Sequence, residues 1–256
     1  MLLNSIYNLP AIDLINKIPD NFVDLYILDP PYMVTNQPWD KLDAINTELV
    51  CQLHRTLKDT GSCYCWCGIG EKSNNLLRWL PIFSEKFYFK DLITWKKQRG
   101  MGTRRGWLYT REECMWFVKD NKKFIWNDSE QYSDIKRCKQ KYGYKLKNGK
   151  CCDDYIKSEY LRLTNVWTDI SETTWNTSKR GLVGKHYTPK PEKAISRIIK
   201  CHTAVEDVVC DPFVGSGTTA VCAQELGRNW IVGDISSEFC KLTSERLGLF
   251  GGECNG

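Results

Sequence analysis

Apolar positions along this chain follow two periods in turn, every third or fourth residue and every second, and that alternation predicts helices and strands in sequence. Ile12, Ile15 and Ile18 predict a short helix over 11–18 that Pro19-Asp20-Asn21 ends. Val23, Leu25, Tyr26, Ile27 and Leu28 form the near-continuous apolar run of a strand covered on both faces. Pro30 and Pro31 cannot donate to a ladder, so this strand stops at Asp29. The stripe Leu42, Ile45, Leu49, Leu53 and Leu57 predicts a helix over 40–57, closed by Thr60-Gly61. A strand over 62–69, a helix over 71–80 and strands over 89–95 and 113–118 follow. Periodicity then dissolves from Asp120, apart from a helix across 154–163, and returns at Pro191. That proline suits the first turn of a helix whose Ala194, Ile195, Ile198 and Ile199 form one face. A strand over 207–210, a glycine-rich turn, a helix over 218–226, a strand over 230–232 and a final helix from near Ser236 complete the chain. In that last helix Phe239, Leu242 and Leu247 face inward. Helix and strand in alternation predict an α/β fold with a mostly parallel sheet and helices on both faces.

Length leaves room for one large domain or a domain with an insertion, since the chain has 256 residues. The formal charge of +5 suggests an anionic partner, and its distribution says more than its size. Lys96 to Arg111 holds six basic residues, three glycines and two aromatics without an acid, which predicts a loop able to follow a phosphate backbone. Lys136 to Lys150 adds seven Lys or Arg around Tyr142 and Tyr144, again with no acid. These residues lie in a stretch over 120–185 that reads as an insertion. The 13 cysteines are odd in number and irregularly spaced, and the first ten residues lack the pattern of a signal peptide. Reduced thiols and a cytoplasmic setting are expected, and no apolar run reaches the roughly 20 residues of a membrane helix. Cys63, Cys65 and Cys67 share one strand face, but structural zinc prefers close pairs with a second pair elsewhere, so they read as small buried hydrophobes and no metal is expected.

Two stretches carry candidate chemistry. Asp29-Pro30-Pro31-Tyr32 puts a carboxylate and an aromatic at the carboxyl edge of a buried strand, where open α/β sheets bind ligands. Asp211-Pro212-Phe213-Val214-Gly215-Ser216-Gly217-Thr218-Thr219 lies between a strand and a helix, and Gly215 and Gly217 would let a ligand approach the backbone at the helix start. Asp234 falls 23 residues after Asp211, about where such folds place an acid on ribose hydroxyls.

Together the two stretches resemble the amino-group DNA methyltransferases that use S-adenosylmethionine, in the permuted beta class whose catalytic motif precedes its cofactor motif. The resemblance covers nearly the whole chain and includes Ile93-Thr94-Trp95-Lys96, His186-Tyr187-Thr188-Pro189-Lys190-Pro191 and Leu226-Gly227-Arg228. It implies a seven-stranded Rossmann-like sheet, with residues 1–119 and 186–256 as the catalytic and cofactor-binding domain and 120–185 as a target-recognition insertion. It implies catalysis by Asp29, Pro30, Pro31 and Tyr32 on N6 of a flipped adenine in double-stranded DNA. Cofactor contacts are implied for Pro10, Ala11, Thr188, Lys190, Asp211, Pro212, Phe213, Gly215, Ser216, Gly217, Thr218, Thr219 and Asp234. Nucleic-acid contacts are expected from Lys96, Arg99, Arg104, Arg105, Lys136, Arg137, Lys139, Lys141, Lys145 and Lys147. A partner restriction endonuclease and a monomer or homodimer complete the expectation. Transfer to N4 of cytosine, an RNA base as substrate, and an inactive cofactor-binding subunit stand as alternatives. Three positions depart from the family pattern: Leu9-Pro10 where Gly-Asp is frequent, Glu112-Glu113 where His-Glu is common, and Asp234 where Glu is frequent.

Overall fold

Val23–Leu28 (β2), buried at every position, lies near the centre of a sheet whose two halves grow outward from it in opposite directions. The computed structural model describes residues 2–33, 43–70, 73–101, 105–136, 159–172 and 189–249. On one side β2 pairs in parallel with Leu57–Cys67 (β3); on the other it pairs in parallel with Val208–Asp211 (β9). Beyond β9 come Asn229–Gly233 (β10) and the amino-terminal Ser5–Tyr7 (β1), both parallel. Beyond β3 the direction reverses through Tyr109–Val118 (β5) and Tyr88–Met101 (β4), and Val166–Trp167 (β8) adds to β4 in parallel. The sheet therefore has eight strands in the order β1-β10-β9-β2-β3-β5-β4-β8 among the described residues. This corrects the expected seven: the eighth is the two-residue β8, which comes from the inserted stretch and finds an open edge on β4.

The period of two along β2 divides its side chains between two apolar layers. Tyr26 and Leu28 face a layer with Cys63, Cys65 and Cys67, closed by Ala11–Asn16 (α1), Thr47–Thr56 (α2) and Asn75–Ser84 (α3). Leu25 and Ile27 face Tyr64 and Trp66, under Glu192–His202 (α4), Thr218–Glu225 (α5) and Ser237–Arg246 (α6). Helices thus cover both faces, and the three cysteines share one, as the sequence predicts. Each fully buried large side chain here contributes about 1.5–3 kcal/mol.

Several boundaries differ from expectation. Helix α2 starts at Thr47, because Asn46 caps it by accepting from the Leu49 amide at 2.9 Å. Leu57 is already the first residue of β3, so Thr60-Gly61 lies inside a strand rather than ending a helix. A Cβ at Gly61 would stand 2.5 Å from the Leu57 side chain and 2.9 Å from the Asp24 carbonyl, so only glycine allows β2 and β3 to approach there. Helix α3 runs four residues further than predicted, through Pro81, because Phe83 continues beyond it the buried face that Leu76 and Trp79 begin. The stretch from Lys96 to Arg111 is largely strand and not loop: Lys96 pairs with Arg111 and Met101 with Tyr109 in a long antiparallel hairpin. The helix predicted over 154–163 is contradicted at its described end, where Tyr160–Arg162 (β7) pairs antiparallel with Tyr132–Lys136 (β6).

The described parts of residues 120–185, 120–136 and 159–172, are fastened to the main sheet and its helices. The Ile125 amide donates to the Thr60 carbonyl at 3.0 Å, and Asn127 donates from its amide to Cys201 and from its side chain to Lys200 and Thr203. Trp126 stacks on Trp116, and Trp167 packs in the second apolar layer, where the Trp95 indole donates to the Ile170 carbonyl at 2.9 Å. Beneath Trp126, His202 lies between the Tyr64 hydroxyl at 2.7 Å and the Ile125 carbonyl at 2.8 Å, and burial pushes it down to about 4, so it is neutral.

Candidate active site

Parallel pairing sets the position of Asp29. β2 and β9 are in register at Tyr26 and Cys210, so Asp29 follows β2 at the same edge where Asp211 ends β9. The two strands lead away to opposite halves of the sheet, which opens a crevice at their carboxyl ends. The candidate catalytic and cofactor stretches therefore meet although 182 residues separate Asp29 from Asp211 along the chain.

Asp29 belongs to a compact group of charges. Lys190 Nζ lies 2.6 Å from Asp29 Oδ1 and 2.8 Å from Glu112 Oε1, and Lys97 Nζ lies 2.5 Å from Glu112 Oε2. The Tyr32 hydroxyl is 3.1 Å from Asp29 Oδ1 and 2.9 Å from Glu112 Oε1, and its single proton serves one acceptor at a time. Two carboxylates and two ammonium groups make the cluster neutral, which is the condition under which charges persist away from water. Lys190 and Glu112 are 9% exposed at the side chain, whereas Asp29 and Lys97 are 31% and 30% exposed, so these two carry the open sides of the cluster. Lys190 also stands over the rings of Tyr32 and Trp66 at 5.3 and 5.4 Å.

The protonation states follow from this crowding. Burial raises the Asp29 carboxyl, Lys190 works against it, and Glu112 adds to it. Burial opposes charge on Glu112 as well, but Lys190 and Lys97 outweigh it and hold Glu112 down to about 2. Lys190 is penalised by burial and raised overall by Asp29 and Glu112, so it keeps its proton. Burial, reinforced by the Asp29 and Glu112 charges, raises Tyr32 well above its ordinary value and keeps it a neutral phenol.

The glycine turn is built largely from its own side chains. Asp211 Oδ1 accepts from the Phe213 amide at 2.9 Å, and Oδ2 accepts from the Thr219 hydroxyl at 2.6 Å. Burial pushes this carboxyl up to about 7 against those two bonds. Gly215 and Gly217 have φ of 49° and 82°, the left-handed region that favours glycine. Their surroundings differ. A Cβ at Gly217 would meet Thr243 of α6 at 2.9 Å, so this glycine permits helix packing; one at Gly215 would meet only the Phe213 carbonyl at 3.9 Å. The approach expected at both positions is thus open at Gly215. Asp234 accepts from the Gly215 amide at 3.1 Å and the Ser236 amide at 2.9 Å, is 9% exposed, and is pushed up to about 6 by burial. An open backbone position beside a nearly buried acid fits the ribose end of a nucleoside.

Among the other predicted residues, Pro10 caps α1 and Ala11 begins it. Both follow Tyr7, which pairs with Gly233 next to Asp234. Pro212 is buried and Phe213 half-buried against the first layer. Thr218 and Thr219 are buried and bond within the turn, and Arg246 of α6 holds the Ser216 carbonyl and the Thr218 hydroxyl. Lys190, expected beside the cofactor, bonds the Asp29 carboxylate. Lys96, Arg105 and Lys136 are exposed, with Lys136 3.7 Å from Glu159. Thr188, Arg104, Arg137, Lys139, Lys141, Lys145 and Lys147 lie outside the described residues, as does the side chain of Arg99. Sequence reasoning missed Lys97 and a role for Glu112. The available signal was the adjacent pair of acids Glu112-Glu113 leading into the apolar end of a strand. It also missed Asn8, whose side chain donates to the carbonyls of Asp234 and Ile235 at 2.9 and 3.1 Å.

A family model described as DNA methylase matches residues 23–245. The type II methyltransferase M1.MboII of Moraxella bovis is 30% identical over 250 residues, covering 93% of this chain and 94% of that protein. Among solved structures, a complex of M1.HpyAVI with SAM matches with a TM-score of 0.61 at 23% identity, over 96% of this chain and 99% of that one. The PvuII DNA methyltransferase, described as cytosine-N4-specific, matches with a TM-score of 0.66 at 17% identity, over 98% and 94%. Both structures share the fold found here.

Proposed function

Because the chain belongs to the DNA methylase family of N6-adenine and N4-cytosine type, whose cofactor is S-adenosylmethionine, we propose that it methylates N6 of an adenine flipped out of double-stranded DNA. The observation that carries this reading is the Asp29 carboxylate at the carboxyl edge, with its Oδ1 held by Lys190 and its side chain still 31% exposed. An exocyclic amine conjugated with its ring is a poor nucleophile, because its lone pair is delocalised. Asp29 Oδ2 and the Pro30 carbonyl accept its two hydrogens and favour a tetrahedral nitrogen whose lone pair points out of the ring plane. When bound, the cofactor supplies an electrophilic methyl group on a sulfonium. As the amine nitrogen bonds the methyl carbon and the carbon–sulfur bond breaks to leave a neutral thioether, the nitrogen would become cationic, and Asp29, already raised by burial, would stabilise that charge and pass its proton toward solvent. Tyr32, kept neutral, stacks on the extruded base, and Glu112 fixes both Tyr32 and Lys190.

Gly215 and Asp234 are the residues that would hold the cofactor ribose, with Pro10, Ala11 and Phe213 around the adenine. Residues 120–185 serve as the target-recognition insertion, and Lys96, Arg105 and Lys136, with their basic neighbours in sequence, follow the phosphates. The preference for adenine rests on Asp at the first motif position, since the two acceptors and the aromatic stack suit either amine. A partner endonuclease of the same sequence specificity accords with the type II methyltransferases the chain resembles. Among the described residues no helix is long and apolar enough to cross a membrane.

Replacing Asp29 separates binding from transfer. Asp29→Ala should bind S-adenosylmethionine within a few-fold of wild type by calorimetry while methyl transfer to DNA falls at least a hundredfold. Wild-type turnover in that variant would remove Asp29 from the mechanism.

A further inference from the structure

The hairpin formed by β4 and β5 bears apolar surface that neither the fold nor the catalytic cluster uses. Trp107 is 94% exposed, Leu108 64% and Tyr109 46%. Strand direction fixes where they lie. β2 and β3 run in parallel and end at the edge that carries Asp29. β5 runs antiparallel to β3, with Glu113 opposite Cys67, so the start of β5 projects past that same edge. Glu112, in contact with Tyr32 and Lys190, anchors the base of this projection. Tyr109 is three residues earlier on β5, on the order of 10 Å further out. Its ring packs where a Cβ on Gly70 would stand, over the segment after β3; Leu108 lies against Gly100 of β4, and Trp107 precedes it in the chain with its ring almost wholly in solvent.

A tryptophan held in water at the mouth of a site is costly surface, and its surroundings indicate what covers it. Lys96, Arg105 and Arg111 are exposed on the same hairpin. The complementary partner is therefore anionic outside and apolar inside, which describes a nucleic-acid duplex: phosphates for the cations and stacked bases for the indole. Extruding a base breaks its pairing and stacking and leaves a gap in the helix. Apolar side chains inserted between base steps hold such distortions open, and an indole stacks on any base because each presents a π face.

We propose that Trp107, backed by Leu108, is the wedge that enters the base stack beside the target and holds open the gap left when that base turns into the Asp29 site. The inference rests on duplex DNA as substrate and adds a residue with a separable task, opening the duplex and not transferring the methyl group.

The test uses the full chain and a duplex carrying the methylated site mapped from a mixed-sequence pool, with the target base either fully paired or opposite an abasic position. Trp107→Ala should lower kcat/KM at least tenfold on the paired duplex and less than threefold on the abasic one, where no partner base holds the target in the stack. Trp107→Phe should recover most of the loss. Equal losses on the two duplexes, or no loss on the paired one, would overturn the wedge while leaving the DNA substrate intact. A wild-type protein that methylates neither duplex would overturn the DNA reading and the wedge with it. An unchanged melting temperature for Trp107→Ala, expected for so exposed a side chain, assigns the loss to function.

Discussion

Glu112 holds two of the groups around Asp29 in place at once, accepting from Tyr32 and pairing with Lys190 through the same oxygen while Lys97 occupies the other. Without its charge, Lys190 would be ion-paired with Asp29 alone, while a side-chain oxygen at this position could still accept from Tyr32. Glu112 acts as a positioning residue, and its loss should be visible in the pH dependence as well as the rate. Its negative charge is one of the influences that raise the Asp29 carboxyl. Glu112→Gln should therefore lower Asp29's pKa, moving the acid limb of the kcat profile to lower pH while kcat falls about tenfold and cofactor affinity stays within a few-fold. An unmoved limb would separate Glu112 from Asp29. Asp29 and Tyr32 were legible in the sequence because the strand end and its prolines mark them, whereas Lys190 was marked by the resemblance alone and expected beside the cofactor. Glu112 and Lys97 were not legible, because they reach the site by pairing between β4 and β5, and no local pattern reports which strands become neighbours.

At the level of elements, β9, the glycine turn and α5 form one unit held by a carboxyl that burial has raised. Asp211 is pushed up to about 7 from an ordinary 3.8, so the folded protein binds a proton that the unfolded chain releases near pH 4. The stability this proton confers is fully present below pH 3.8 and is lost as pH rises through about 7, amounting to a few kcal/mol. Asp211→Asn keeps two hydrogen-bonding atoms for the Phe213 amide and Thr219 and carries no charge. Chemical denaturation between pH 4 and 8 should show a smaller loss of stability with rising pH in the variant than in the wild type. Parallel curves would mean that Asp211 titrates as it does in the unfolded chain. β2 was readable from its near-continuous apolar run, and α2 and α4 from periodicity, since one face of each helix decides its packing. The inner parts of β4 and β5 were read as strands as well, but their outer part from Lys96 to Arg111 was not: its polar residues look like a loop, and only long-range ladder bonds make them strands. The boundary between α2 and β3 was misplaced for a related reason, since Leu57 suits a helical stripe as well as a strand.

In the whole molecule, strand order explains why the catalytic motif can precede the cofactor motif. β2 and β9 are neighbours whichever comes first, and β1 returns beside β10 to close the amino-terminal edge, so the crevice is the same in either order. Motif order and element alternation made this architecture readable from sequence; the small strand β8 and the docking of 120–136 on α4 depend on tertiary contacts and were not. The fold and cluster suit an aromatic amine, and the choice of base is the central claim that a single assay decides. The protein is incubated with labelled S-adenosylmethionine and a mixed-sequence DNA duplex, the DNA is digested to nucleosides, and the products are identified by mass spectrometry. The account predicts labelled N6-methyladenine confined to one short sequence; N4-methylcytosine as the sole product would contradict the base assignment, and DNA without label would contradict the proposed activity itself.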